Sequence, residues 1–194
     1  MSFPVTVVLV RHAWAGVRTE GADDGARPLD EDGRRQADRL LDHLDVLLDD
    51  HGLVTVSASG PAVTLVSSPF VRCVETLAPA ARRLGRPVGT DPRLVEAVVP
   101  LASSDGWPDA AYLGARALGG VDAAVAGTAP EGVLVVCAHG EVLPALVAAM
   151  AGRDDVDVPS AVDLTAKRLP KGAAWLLPAG DRDLVELPPV PTEP

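Results

Sequence analysis

Three short runs of the chain are apolar almost throughout and rich in valine, at residues 5–10, 62–66 and 132–138. Runs of this length with no alternation of polar and apolar positions fit strands buried on both faces, as in a parallel sheet covered by helices. Residues 173–177 and 184–187, flanking Pro178-Ala179-Gly180-Asp181, read as a hairpin or edge pair, and Pro87-Val88 opens a further short strand. Between the strands the period changes. Ala37, Leu40, Leu41, Leu44, Leu47 and Leu48 fall on one face of a helix capped by Asp30 and ending near His51-Gly52. Gly33 in its first turn weakens that helix by roughly 1 kcal/mol, which points to a close approach by another segment. A second helix is expected to start at Ser68 as N-cap with Pro69 in the first turn. It should kink or split at Pro79 and end at Gly85.

Residues 103–127, rich in alanine and glycine, read as two short helices broken at Gly119-Gly120, with Asp105 as a cap. Residues 141–151 form a helix after the third strand, and 152–162 a loop. Residues 1–187 are expected to make one domain. The proline-rich tail at 188–194 is expected to be extended or disordered.

Composition narrows the class. The chain has 194 residues, 47% hydrophobic and only 3% aromatic, so its core must be built from Val, Leu and Ala. With 17 basic against 27 acidic residues the net charge is −10, which argues against a nucleic-acid or anionic-membrane surface. Any anion site must then be a local pocket. Two cysteines, Cys73 and Cys137, make neither a disulfide framework nor a zinc spacing. No run approaches the roughly 20 apolar residues that span a bilayer, and no leader precedes the first strand, so a cytoplasmic protein is expected.

The candidate chemistry sits where the strands end. The first strand gives way to Arg11-His12, the third to His139-Gly140, and Arg72 lies in the first turn of the helix after the second. Ligands of open α/β sheets bind at these carboxyl ends. An arginine in a first helical turn opposes the helix dipole unless an anion lies between them. Two guanidinium forks match phosphate oxygens, and two histidines can divide the labour of nucleophile and oxyanion donor. Glu96 opens a segment of Val, Ala and Pro where a carboxylate has no packing role. There is no Walker glycine loop, no aspartate cluster for magnesium and no H-E-x-x-H pair. The pattern fits phosphoryl transfer on a small phosphorylated substrate, with no metal and no cofactor. Arg18, Arg27 and His43 read as solvated, with contact to a distal anion of the substrate the alternative for the two arginines, and Trp14 reads as either a pocket wall or a packing residue. Cys73 should point away from Arg72, while Cys137 shares the side of His139.

Leu9-Val10-Arg11-His12, Ser67-Ser68-Pro69 with Arg72 and Glu75-Thr76, and His139-Gly140 resemble the histidine phosphatase superfamily, which includes the cofactor-dependent phosphoglycerate mutases. Arg27-Pro28-Leu29, Gly33 and Gln36-Ala37 fit the connecting segment. Arg-His-Ala in place of the mutases' Arg-His-Gly-Glu is similar to the compact bacterial phosphohistidine phosphatases, a branch that also resembles domains attached to Nudix hydrolases. The resemblance implies a three-layer α/β/α sandwich around a mostly parallel sheet. It implies attack by His12 on phosphorus, phosphoryl binding by Arg11, Arg72 and His139, and acid–base work by Glu96. The substrate would be a small phosphomonoester or a protein phosphohistidine. A mutase, or a catalytically silent phospho-ligand binding protein, remains an alternative. A serine hydrolase is disfavoured, because no G-x-S-x-G elbow is present.

Overall fold

Valine-rich runs become the centre of a six-stranded sheet in the computed structural model, which describes residues 3–50, 52, 62–96, 107–159 and 169–192. The strands are β1 (Thr6–Arg11), β2 (Val63–Ser67), β3 (Val88–Thr90), β4 (Val133–Ala138), β5 (Ala174–Leu177) and β6 (Val185–Leu187). Their order across the sheet is β3-β2-β4-β1-β5-β6. The first four in that order run parallel; β5 is antiparallel to β1, and β6 to β5. The carboxyl ends of β1, β2 and β4 therefore share one edge of the sheet. The antiparallel β5 begins at that same edge, with Val10 opposite Ala174.

Side-chain alternation sorts the central strands into two cores. Val8 and Val10 of β1 with Val133, Val135 and Cys137 of β4 face α1 (Glu31–Asp50) and α2 (Val71–Leu84), meeting Leu40, Leu44, Leu48 and Leu77. Val7, Leu9, Leu134 and Val136 face α3 (Trp107–Ala126) and α4 (Val142–Asp154), meeting Ala117, Val121, Leu143 and Met150. Helices thus cover both faces of a mostly parallel sheet, the three-layer α/β/α arrangement. No helix among the described residues is long and apolar enough to cross a membrane.

Local chemistry explains where α1 begins. Asp30 Oδ1 accepts the Gly33 amide at 2.8 Å, the N-cap bond, typically worth about 1 kcal/mol. Gly33 is required by packing: a Cβ there would lie 1.8 Å from the Trp14 carbonyl oxygen. The α1 backbone thereby seats the loop that follows β1.

Three expectations need correction. The helix after β2 starts at Val71, with Phe70 at the cap position, because the Ser68 hydroxyl is engaged with His139 at 2.9 Å. Pro79 neither splits nor ends α2, which continues to Leu84 and closes on Gly85 in the left-handed conformation, φ 62°. Burial of Leu77, Ala80 and Ala81 on either side holds the helix through the missing N–H. Residues Gly119-Gly120 do not break α3, which runs as one helix from Trp107 to Ala126. There the small residues let Asp91 and Arg93 lie against the helix, at 3.4–3.5 Å from a Cβ built on Gly120.

α4 also runs three residues further than expected, to Asp154. Asp105, His51 and residues 160–162 of the expected loop lie outside the described residues. In the proline-rich tail, Val190 is buried, and its N–H donates to the Gly172 carbonyl at 3.1 Å.

Candidate active site

Arg11 and His12 leave β1 at the sheet edge, Arg72 lies in the first turn of α2, and His139 follows β4 directly. Glu96 follows a 3-10 turn at Pro92–Leu94. These five residues, predicted separately, converge. The His12 and His139 rings meet edge to face with centroids 5.4 Å apart. Glu96 Oε1 lies 2.7 Å from His139 Nδ1 and 3.2 Å from Arg72 Nη2. Gly140 gives Arg11 its place, since a Cβ there would come within 2.8 Å of the guanidinium carbon.

The protonation pattern of His12 follows from its partners. Nδ1 lies 2.8 Å from the Ala13 carbonyl, which can only accept, so Nδ1 carries the proton and Nε2 keeps its lone pair. Burial, the charge of Lys171, and His139 hold the imidazole down at a pKa of about 2, so it is neutral. Nε2 faces Lys171 Nζ at 2.9 Å. Loop residues behind His12 are held by α2, where Thr76 Oγ1 accepts the Ala13 amide at 3.0 Å and Glu75 the Leu29 amide at 2.7 Å.

His139 is the opposite case. Burial alone would lower it, yet contacts with the Cys73 thiol and the Glu96 carboxylate raise it above the ordinary histidine value. Its Nδ1 donates to Glu96, and its Nε2 lies 2.9 Å from Ser68 Oγ. Glu96 is pushed well below the usual carboxylate range: burial opposes this, but the hydrogen bond and charge of His139, with the charge of Arg72, outweigh it. Glu96 therefore sits ionised between two cations. Phe70 completes the wall, edge to face with His139 and beneath Arg72 at 4.8 Å.

Two contributors escaped the sequence reading. Asp24 accepts from the fully buried Arg72 at 3.1 Å and from Arg27 and Arg18 at 2.8 and 3.2 Å. Both Arg18 and Arg27 pair with Asp24: Arg18 remains exposed, as expected of a solvated loop arginine, whereas Arg27 is partly buried. Their loop lines a cavity of ≈ 340 Å³ with Val17, Thr19 and Pro28. Lys171 is the other; it belongs to the turn that leads into β5. His43 Nε2 donates to the Pro188 carbonyl at 2.9 Å, and Trp14 is half exposed. Cys73 turns its Sγ towards His139, 3.6 Å from Nε2.

The donor set decides between a metal and an anion. His12, Glu96 and His139 offer atoms within 4.8 Å of one another, a spacing a cation could bridge. Lys171 and Arg72, however, already direct N–H donors at His12 and Glu96. The Nε atoms of Arg11 and Arg72 are buried without an acceptor among the described residues. Such a ring of cations disfavours a divalent ion and fits an oxyanion.

Comparison with known proteins agrees with this geometry. Residues 7–100 match the model of the histidine phosphatase superfamily (branch 1). An 8-oxo-(d)GTP phosphatase of Mycolicibacterium smegmatis is 32% identical over 181 residues, which are 93% of this chain but 46% of that protein. The chain thus spans about half the length of this curated relative. Among solved structures, the SixA protein from Nakamurella multipartitia superimposes with a TM-score of 0.56 at 26% identity, over 96% of each chain. The mycobacterial glucosyl-3-phosphoglycerate phosphatase Rv2419c, bound to inorganic phosphate, shares the fold with a TM-score of 0.58 at 19% identity, over 96% of this chain and 97% of its own. Over residues 7–100 the chain belongs to the histidine phosphatase superfamily.

Proposed function

We propose that the protein is a metal-independent phosphatase that works through a phosphohistidine on His12. The observation that carries this reading is the neutral His12 imidazole, proton fixed on Nδ1 by Ala13 and lone pair on Nε2 facing a ring of cations. Nε2 attacks phosphorus and the bond to the leaving group breaks, its electron pair departing with that group. Water then cleaves the N–P bond and releases phosphate. Arg11, Arg72 and the cationic His139 bind the phosphoryl oxygens and stabilise the charge that develops on them. The Nε of Arg72, without an acceptor among the described residues, is available to them, whereas its Nη2 must exchange Glu96 or Asp24, and His139 must exchange Glu96 or Ser68.

Glu96 is assigned the acid–base work. Its carboxyl is ionised in this arrangement, ready to accept a proton from water but not to donate one. That favours substrates whose leaving group needs little protonation, and the imidazole of a protein phosphohistidine is one. A small phosphorylated metabolite is the second reading, supported by the nucleotide in the name of the 32% identical relative. A mutase would need a second anion site, and Arg18 and Arg27 in the loop after β1 are already held by Asp24.

The test is hydrolysis of a generic aryl phosphate, with and without a chelator, by wild type and His12→Ala. Turnover should survive chelation and fall by at least about 100-fold without His12. Turnover that needs a metal, or that persists in His12→Ala, would overturn the reading. Phosphate binding without turnover on any phospho-substrate, phosphohistidine peptides included, would leave a binding protein.

A further inference from the structure

The turn Pro170-Lys171-Gly172 delivers an ammonium to the nucleophile. Because β5 runs antiparallel to β1, the residues before β5 arrive at the edge where β1 ends. The turn is fastened on several sides. Arg11 Nη1 donates to the Leu169 carbonyl at 2.5 Å, the Gly172 amide to the Arg11 carbonyl at 3.2 Å, and Gln36 Nε2 to the Lys171 carbonyl at 3.1 Å. Gly172 adopts φ +75°, and a Cβ on it would strike the Gln36 side chain at 2.9 Å. With its backbone fixed, Lys171 retains side-chain rotation alone. Its Nζ lies 2.9 Å from His12 Nε2.

A lysine placed there for packing would be a poor choice. It faces Arg11 and His12 at the end of β1, Arg27 in the following loop, Arg72 on α2, and Cys137 on β4, with Glu96 as the anionic neighbour. Burial and the two arginines Arg11 and Arg27 lower it to a pKa of about 8. It remains largely protonated near neutral pH. Three like charges around one half-buried ammonium are costly unless an anion joins them.

We propose that Lys171 is a catalytic residue: its ammonium covers the Nε2 lone pair of His12 at rest and moves onto a phosphoryl oxygen as Nε2 attacks. This rests on the phosphohistidine reading. Lysine keeps its proton throughout; the Nε2–P bond forms, the bond to the leaving group breaks, and one N–H···N contact becomes an N–H···O contact. The exchange makes the nucleophile available only when an anion is present to draw the ammonium away. It also adds a fourth cation to Arg11, Arg72 and His139.

Equilibrium binding of tungstate, a tetrahedral dianion over the working range, tests the contact without turnover. Wild type should bind about tenfold more tightly near pH 7 than near pH 9.5, as Lys171 loses its charge. Lys171→Met should bind about tenfold more weakly than wild type near pH 7, with a shallower dependence on pH. Lys171→Arg should restore affinity and stay charged; any slope left in both variants belongs to His139. A Lys171→Met protein that binds within twofold of wild type, or keeps its full pH slope, overturns the proposal, circular dichroism establishing that each variant is folded. If His12 carries a phosphoryl group while tungstate binding ignores Lys171, the lysine assignment alone falls. If tungstate binding follows Lys171 while His12 is never phosphorylated, the anion contact stands and the covalent chemistry falls.

Discussion

Replacing Gly33 by alanine should destabilise the protein, although alanine is the better helix former. In an open helix the change would stabilise by roughly 1 kcal/mol. Here the added Cβ would stand 1.8 Å from the Trp14 carbonyl oxygen and 2.7 Å from its carbon. Relief needs a retreat of about 1.5 Å to reach ordinary contact distance. Neither side yields cheaply, since both are backbone: α1 is pinned by Leu40, Leu44 and Leu48 in the core, and Trp14 by hydrogen bonds to Gln36 and Asp30. Overpacking of this kind costs about 1–3 kcal/mol, and losing the Asp30 amide bond to the Trp14 carbonyl adds about 1. Set against the propensity gain, the net loss is about 1–3 kcal/mol. Urea unfolding followed by far-UV circular dichroism measures it directly. Activity should fall further than stability, because Trp14 is two residues from His12 and the displaced loop carries the nucleophile with it. An alanine variant as stable as wild type, or more so, would refute the packing argument.

Two further outcomes follow from the same contacts. His12 is neutral in the fold but protonates in the unfolded chain below about pH 6.5, so acid favours unfolding down to the folded pKa of about 2. His139, raised, is protonated in both states below pH 6.5, and Glu96, lowered from 4.5, is largely ionised in both above about pH 5. Groups common to both proteins, among them the Cys73 thiol lowered to about 6, cancel in the comparison with His12→Gln, so wild type should lose on the order of 2 kcal/mol more than that variant from pH 7 to 5, read by urea unfolding at each pH. Val190 is buried, with its carbonyl bonded to Gln36 at 2.8 Å, so Val190→Ala should cost about 1–2 kcal/mol; no change would mean the tail is not docked.

Much of the site was legible because it obeys one rule. Buried valine runs mark parallel strands, and whatever polar residue follows such a run stands at the ligand edge; that rule located Arg11, His12 and His139. Gly33 was legible as a helix residue that helix propensity disfavours. Ser68 was misread because a helix-start pattern cannot show that its hydroxyl has a better use, here against His139. Gly119-Gly120 misled for a related reason: propensity sees two glycines, while the fold uses their missing side chains to seat Asp91 and Arg93.

Lys171 left a signal that went unused. The hairpin reading already made β5 and β6 an edge pair, and an antiparallel strand beside β1 must begin where β1 ends. A charged residue just before it then belongs at the site. Asp24 left none, lying in a loop with Asp23 and Glu20 where no spacing singles out one acid. Its role depends on the reach of Arg72, which only the packed structure defines.

The central claim is covalent, and the most direct measurement looks for the bond. Wild type mixed rapidly with a phosphoryl donor and quenched in alkali, where phosphohistidine survives, should carry phosphate in an acid-labile linkage that peptide mass spectrometry places on His12. Label on another residue, or none during productive turnover, would contradict the account.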